Sequence, residues 1–296
     1  MTASQTNKSK HVLINGQQDE SLSPFDRGFS YGDGVFRTLP VIKGHPDSWL
    51  DHYKKLMSDC HVLGIVCPSA EILLSDIEKL IQASSSEQSK KQTPSKETPS
   101  FVIKIIITRG ESERGYAMPA LAQPSRVLIC SDFPTYPESS FVEGVKLHLC
   151  NLRLSHQPLL AGIKHLNRLE NVIARAEWQD SNIIDGVLLD ANNMVIECTS
   201  SNIFARFGTQ LHTPDLSNCG VAGLTRQRIL ELAGDLSLQR SVSNISLSHL
   251  MQADEIIICN SLFGAWQVRE FNHQHWPQLP LANQLRTLLK SPHAHH

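Results

Sequence analysis

Apolar residues recur along this chain with two different periods, and the switches between them mark strands and helices. An apolar run over 11–15 ends in Asn15-Gly16, a pair suited to a tight hairpin turn. A glycine-rich segment, SPFDRGFSYGDG, leads into a second β-rich run at Val35, and Lys43-Gly44 marks another turn. Residues 49–63 carry Leu50, Tyr53, Leu56, Met57 and Leu63 at helical spacing. A second helix is predicted over 70–82, where Ser69 precedes a stripe of Ile72, Leu73, Ile77, Leu80 and Ile81. Residues 83–100 break the pattern. They are polar and of low complexity, and predict a flexible surface insertion, because little apolar surface is available to offset the entropy of ordering them.

Strands follow at 101–108 and 126–131, and the Pro134–Pro137 segment predicts a boundary between domains. Beyond it the pattern predicts a strand at 145–149. Next comes a helix with one buried face, formed by Leu166, Leu169, Val172, Ile173 and Ala176. Strands at 186–190 and 194–197 are joined by an Asn192-Asn193 turn, and 202–207 with 210–212 reads as a hairpin. Helices at 224–233 and 246–252 and a buried strand at 255–259 complete the chain. The fold class is α+β, in two halves: an N-terminal α/β domain over 11–135 and a C-terminal domain over 140–290, with residues 1–10 predicted disordered.

Composition narrows the classes without choosing among them. A net charge of −2 gives no general attraction to nucleic acid or to an anionic membrane, so neither is expected as a partner. No apolar run reaches the roughly 18 residues needed to span a bilayer, and the polar start lacks the apolar core of a secretory signal. The seven cysteines are scattered, with no C-x-x-C pair, as expected of reduced thiols in a cytoplasmic protein. The fourteen histidines show no metal-ligand spacing, and those at 293, 295 and 296 belong to a polar tail.

Four pieces of the second half could serve one ligand. Lys164 follows a loop and is flanked by Ile163 and Leu166, where desolvation would make its amine a usable base or nucleophile; a solvated surface lysine is the plain alternative. Glu197 ends the β-rich run MVIE, and a carboxylate there requires a partner, whether an arginine, a turn it caps, or a ligand. Gly220–Thr225 is a glycine loop opening a helix, a place where backbone N–H groups favour phosphate. Asn260-Ser261 follows a buried strand; it could donate to the same phosphate or simply end the strand. A lysine, a carboxylate and a phosphate cradle together meet the needs of pyridoxal 5'-phosphate. The lysine takes the aldehyde, the carboxylate keeps the ring nitrogen protonated, and the cradle holds the phosphate.

The order of Lys164, Glu197, GLTR and CNS resembles the fold-type IV pyridoxal-phosphate enzymes. These include branched-chain aminotransferases, D-amino acid aminotransferases and 4-amino-4-deoxychorismate lyases. The segments LINGQ, DRGFSYGDGVFRT, RGYAMPA, LAGIKHLNRLE, ECTSSNIF and QADEIIICNSL resemble the lyases in order along nearly the whole chain. The resemblance implies two domains, the C-terminal one built around a β-barrel-like sheet and binding the cofactor, and a homodimer. It also implies that Lys164 binds the cofactor, that Glu197 meets its ring nitrogen, and that Gly223, Leu224, Thr225, Asn260 and Ser261 form the phosphate region. Thr38 matches a threonine credited with assisting proton transfer to the leaving group. Lys55 stands where the family commonly has an arginine for the phosphate, which replaces a planar fork by a point charge. Arg37, Arg109, Arg114 and Tyr116 are candidates for the substrate's carboxylates, Arg37 alternatively pointing to solvent. The implied reaction converts 4-amino-4-deoxychorismate to 4-aminobenzoate, a folate precursor, and pyruvate. An aminotransferase on the same fold, or a non-catalytic protein that kept it, are the alternatives.

Overall fold

The computed structural model describes residues 11–18, 20–90 and 100–290. The predicted disordered start, the histidine tail and residues 91–99 of the predicted insertion lie outside the described residues. The chain forms two compact units, Met1–Thr135 with Lys164–Asn167, and Tyr136–Ile163 with Arg168–His296.

The first unit contains β1 (His11–Ile14), α1 (Arg27–Tyr31), β2 (Gly34–Ile42), β3 (His45–Pro46), α2 (Trp49–Val62), α3 (Ala70–Lys90), β4 (Phe101–Thr108) and β5 (Arg126–Asp132). The strands make an antiparallel sheet in the order β1-β5-β4-β2-β3. Asn15-Gly16 and Lys43-Gly44 both adopt positive φ, the conformation that lets a two-residue turn follow the twist of its strands. One face of the sheet is the core side. Val35, Leu39 and Val41 of β2 are buried there in phase with Ile103, Ile105 and Ile107 of β4, along with Leu56 of α2 and Leu73 and Ile77 of α3. The other face is half-exposed and carries Phe36, Thr38, Lys104 and Ile106.

Helix α3 does not stop at residue 82. The segment that follows has no proline until Pro94 and includes Glu87, Gln88 and Lys90, good helix formers, so the helix continues to Lys90. Ser84 on this extension is buried, its Oγ 3.4 Å from Cys130 Sγ.

The second unit contains α4 (Glu138–Val142), β6 (Val145–Leu154), α5 (Leu169–Arg175), β7 (Ile183–Asp190), β8 (Met194–Cys198), β9 (Asn202–Phe207), β10 (Gln210–Pro214) and α6 (Leu224–Leu232). Then follow β11 (Gln239–Ser243), β12 (Ile245–Ser246), α7 (Leu247–Leu250), β13 (Glu255–Asn260), β14 (Gly264–Phe271), β15 (Gln274–His275) and α8 (Leu281–Lys290). The sheet runs β11-β10-β9-β13-β14-β6-β7-β8-β12, with β15 beside β14. Its two end strands, β11 and β12, are separated along the chain by Asn244 alone, so the sheet curls until its edges come together. β13 is buried on both faces. Ile256 and Ile258 meet Trp266, Val187 and Ile203 in one core, while Ile257 and Cys259 meet Ile229 and Leu285 in another.

The predicted helix after Lys164 is corrected in two respects. Its helical part begins only at Leu169, and Leu169, Val172 and Ile173 are 69%, 62% and 51% exposed. The apolar spacing is real, but this unit has no surface to cover it.

Candidate active site

Lys164 is presented by a strand-like segment rather than by a helix start. Phe36 N donates to Lys164 O at 2.9 Å and Leu166 N donates to Gly34 O at 3.0 Å, which places His165 opposite Val35. Residues 164–166 thereby extend the edge of β2. Lys164 is partly exposed, and its Nζ lies 4.7 Å from the centroid of the Phe36 ring. Thr38, two residues along β2, shares the face of Phe36 because side chains alternate along a strand. Its hydroxyl has no protein hydrogen-bond partner among the described residues.

Behind this face Asp59 acts as a hub. Its Oδ2 accepts from Arg37 Nη2 and from the backbone N of Lys164 at 3.3 Å, and its Oδ1 accepts from Lys55 Nζ at 3.1 Å. Arg37 and Asp59 are 3% and 1% exposed, so Arg37 does not point to solvent. Burial lowers the Arg37 pKa, and the Asp59 carboxylate opposes that shift. Lys55 is more open, its side chain 22% exposed. The pairing puts Lys55 one helical turn from Asp59 and ties both to the segment that carries Lys164.

Arg109, a candidate for a substrate carboxylate, is buried and engaged as a brace within the first unit. It grips Asp33 through Nε and Nη2 at 2.8 and 3.1 Å and donates to the carbonyls of Gly64 and Leu63 at 2.8 and 2.6 Å. Arg27, which sequence reasoning overlooked, shares Asp33 at 2.8 Å and donates to the carbonyls of Gly115, Tyr116 and Ala117. Burial pushes the Asp33 carboxyl up, but hydrogen bonds from Arg109 and Arg27 outweigh it and leave the pKa below the ordinary value. The loop that Arg27 holds leaves Arg114 exposed and Tyr116 84% exposed, the Tyr116 ring 5.3 Å from that of Tyr31.

In the second unit Glu197 is 4% exposed at the end of β8, and its Oε2 accepts from Val221 N at 2.8 Å. The loop from Gly220 to Gly223 is pinned twice more by Asn202, which donates to Val221 O at 2.8 Å and accepts from Gly223 N at 3.1 Å. A Cβ on Gly223 would come within 2.3 Å of Asn202 Oδ1, and Gly220 combines a φ of +85° with Ile196 packed against it. The loop therefore accepts no side chain at either place. The Gly223 amide is engaged by Asn202, so Gly223 shapes the loop through its own backbone. Asn260 also has a local structural role, its Nδ2 donating to Ser200 O at 3.4 Å. Its Oδ1 accepts from Leu262 N and Phe263 N at 2.9 and 3.1 Å, so it closes the turn after β13.

What remains at the start of α6 is a compact donor set. The Thr225 and Ser261 hydroxyls lie 3.5 Å apart, and the first amides of α6 have no intrahelical acceptors. Hydroxyls at the N-terminus of a nine-residue helix suit a phosphate, and a buried carboxylate suits a protonated ring nitrogen. The primary amine of Lys164 suits an aldehyde. Within the second unit Leu224, Thr225, Ser261 and Glu197 thus have the chemistry that the phosphate and ring nitrogen of pyridoxal phosphate require, and within the first unit Lys164 has the chemistry that its aldehyde requires. Asp59 and Asn202 were not anticipated. Asp59 could have been found from its place one turn beyond Lys55, and Asn202 from its position at the head of a buried strand.

A family model described as amino-transferase class IV matches residues 34–271. The chain is 34% identical over 251 residues to an aminodeoxychorismate lyase of Vibrio harveyi, covering 85% of this chain and 88% of that one. It is 25% identical over 255 residues to a D-alanine aminotransferase of Staphylococcus aureus strain MSSA476, covering 84% and 85%. Among solved structures, the 4-amino-4-deoxychorismate lyase from Pseudomonas aeruginosa superposes with a TM-score of 0.85 at 39% identity, over 94% of this chain and 98% of that one.

Proposed function

The chain belongs to the class IV amino-transferase family, and from that premise we propose that it is a pyridoxal-phosphate-dependent lyase that converts 4-amino-4-deoxychorismate to 4-aminobenzoate and pyruvate in folate biosynthesis. The observation that carries the reading is the shared face of β2, where Lys164 Nζ lies 4.7 Å from the Phe36 ring and Thr38 offers an uncommitted hydroxyl two residues away. Likeness to lyases at 34% and 39% identity, against 25% for the aminotransferase, favours elimination over amino transfer.

When bound, the cofactor supplies an electron sink for the charge left by deprotonation. The chain's own residues manage position and protons. Leu224, Thr225 and Ser261 hold the phosphate, and Lys55 adds a positive charge to it. Glu197, kept buried and oriented by Val221 N, favours the protonated ring nitrogen. Lys164 Nζ takes the proton from the ring carbon that bears the amine. The bond from the neighbouring carbon to the ether oxygen breaks, its electron pair staying on that oxygen, and Thr38 hydrogen-bonds to the oxygen as it gains charge. The enolate of pyruvate leaves and becomes pyruvate by taking a proton on carbon, while the ring becomes aromatic.

The homodimer belongs to this reading. Leu169, Val172 and Ile173 form an exposed apolar stripe on α5, and Phe25, Phe29 and Leu121 are 69%, 74% and 91% exposed, surfaces that a second copy would cover. None of the helices described is long and apolar enough to cross a membrane, and the seven cysteines are free thiols, which accords with a cytoplasmic enzyme.

The test is to incubate the purified protein and pyridoxal phosphate with 4-amino-4-deoxychorismate. Pyruvate and 4-aminobenzoate in equal amounts are expected. A half-reaction that appears only with added keto acid would favour the aminotransferase instead.

A further inference from the structure

Cys60 and Cys67, which the proposed reaction does not use, are hydrogen-bonded to each other through their side chains in the first unit. The fold brings them together. Cys60 lies in the last turn of α2, and the chain after the helix doubles back along it. Ile65 N donates to Cys60 O at 2.9 Å. Tyr53, seven residues before Cys60 and so on the same face of α2, donates from its hydroxyl to Pro68 O at 3.2 Å. Arg109 holds the turn between helix and return segment through the carbonyls of Leu63 and Gly64, at 2.6 and 2.8 Å. Cys67 is thereby held against α2 between two fixed points, Ile65 and Pro68.

The two thiols differ in kind. Cys60 is fully buried, whereas Cys67 alone of the seven cysteines is partly exposed. The hydrogen bond between them lowers the Cys67 pKa and raises that of Cys60; burial adds to the second shift and opposes the first. Burial pushes Cys150, Cys219 and Cys259 up to about 12. One thiol of the chain is therefore reachable and inclined to ionise, with a second sulfur already beside it.

We propose that Cys67 and Cys60 form a thiol–disulfide switch that a peroxide closes and that acts on the segment carrying Lys164. The Cys67 thiolate attacks the peroxide. The O–O bond breaks, the sulfur takes one oxygen as a sulfenic acid, and the rest of the peroxide leaves as water or an alcohol. The Cys60 sulfur then attacks Cys67. An S–S bond forms, the S–O bond breaks, and water leaves with the Cys60 proton. The two thiols give up two electrons and the peroxide takes them; a dithiol reverses the step by exchange. Disulfides of reducing compartments are mostly transient ones of this sort. Closing the bond brings the sulfurs to about 2.05 Å, nearer than hydrogen-bonded thiols stand, so the last turn of α2 or the loop after it has to move. Asp59, next to Cys60 on that turn, accepts from Lys164 N at 3.3 Å. Oxidation thus reaches Lys164 through Asp59, and its expected effect on turnover rests on the lyase reading above.

The experiment treats wild type, C67S and C60S, all loaded with pyridoxal phosphate, with hydrogen peroxide, blocks the remaining thiols by alkylation and maps the peptides by mass. Wild type should form the Cys60–Cys67 disulfide before any other cysteine is modified. Its pyruvate release should fall about tenfold or more, the scale of a small misplacement at a reacting group, and dithiothreitol should restore both. C67S should keep its Cys60 thiol and its turnover. C60S should stop at the sulfenic acid of Cys67, trapped by dimedone. Cys60 and Cys67 left reduced while other cysteines oxidise would overturn the proposal, as would a disulfide that forms without changing turnover. The peptide map needs no substrate. Were the untreated protein to release no pyruvate, the lyase reading would fall by itself, and the pair would still be judged by the map and by the absorption of the cofactor at Lys164, which should change on oxidation and not in C67S.

Discussion

In the first unit the carboxylates of Asp59 and Asp33 each gather two cationic side chains, Arg37 with Lys55 and Arg27 with Arg109, whereas in the second the loop from Gly220 to Gly223 is pinned through its own backbone, by Asn202 at Val221 O and Gly223 N and by Glu197 at Val221 N. Ion clusters built from side chains fix the places of charged groups relative to the strand that carries Lys164. The loop at Gly220–Gly223 is fixed by hydrogen bonds of its own backbone to Asn202 and Glu197. On the function proposed above, the phosphate falls to the second unit and the proton chemistry to the β2 face of the first.

The sharpest way to break this division is Lys164→Ala. Turnover should fall by about 10⁴-fold, the upper range for loss of a positioned proton-transfer group, in an assay of pyruvate release with excess cofactor. Activity near wild type would sink the assignment of the base. Glu197→Gln comes next. Its amide oxygen can still accept from Val221 N, so thermal stability should hold, while kcat falls on the order of 10²-fold through loss of the charge. A collapse of stability with kcat preserved in the folded fraction would make Glu197 a structural residue.

Asp59→Asn tests the ion cluster as architecture. Removing one partner of a pair buried this completely should cost about 3 kcal/mol or more, read from urea unfolding, because Arg37 stays behind without its counter-charge. A smaller effect is expected at Asp33, whose pKa is lowered in the folded state. A lowered carboxyl adds stability above the unfolded value of about 3.9 and loses it as pH falls through the folded value. Wild type should therefore exceed Asp33→Asn in stability at pH 7, with the gap closing below about pH 4. A gap that does not change with pH would deny the linkage.

The same contrast explains what could be read in the sequence. Backbone-dominated features were legible. The apolar run Ile256–Cys259 reads directly as a buried strand, and Glu197 and the GLTR start stand at element ends where the pattern changes. The ion clusters were harder, because their members are far apart in the chain: Arg37 and Asp59 are 22 residues apart, Arg109 and Asp33 are 76. Yet Arg37 falls in phase with Val35, Leu39 and Val41, and that phase alone marks it as buried. Leu169, Val172 and Ile173 misled for another reason. Helical spacing reports an apolar face but not what covers it. The segment at 164–166 follows from a long-range pairing to β2 that no local pattern encodes.

The division of labour is tested most directly by titrating pyridoxal phosphate into Thr225→Ala and Thr38→Ala and measuring pyruvate release at each concentration. The account predicts that Thr225→Ala binds the cofactor about tenfold or more weakly and regains most of its turnover at saturation. Thr38→Ala should bind it as wild type does and remain slow however much is added. The reverse result, with weak binding in Thr38→Ala and a saturated but slow Thr225→Ala, would contradict it.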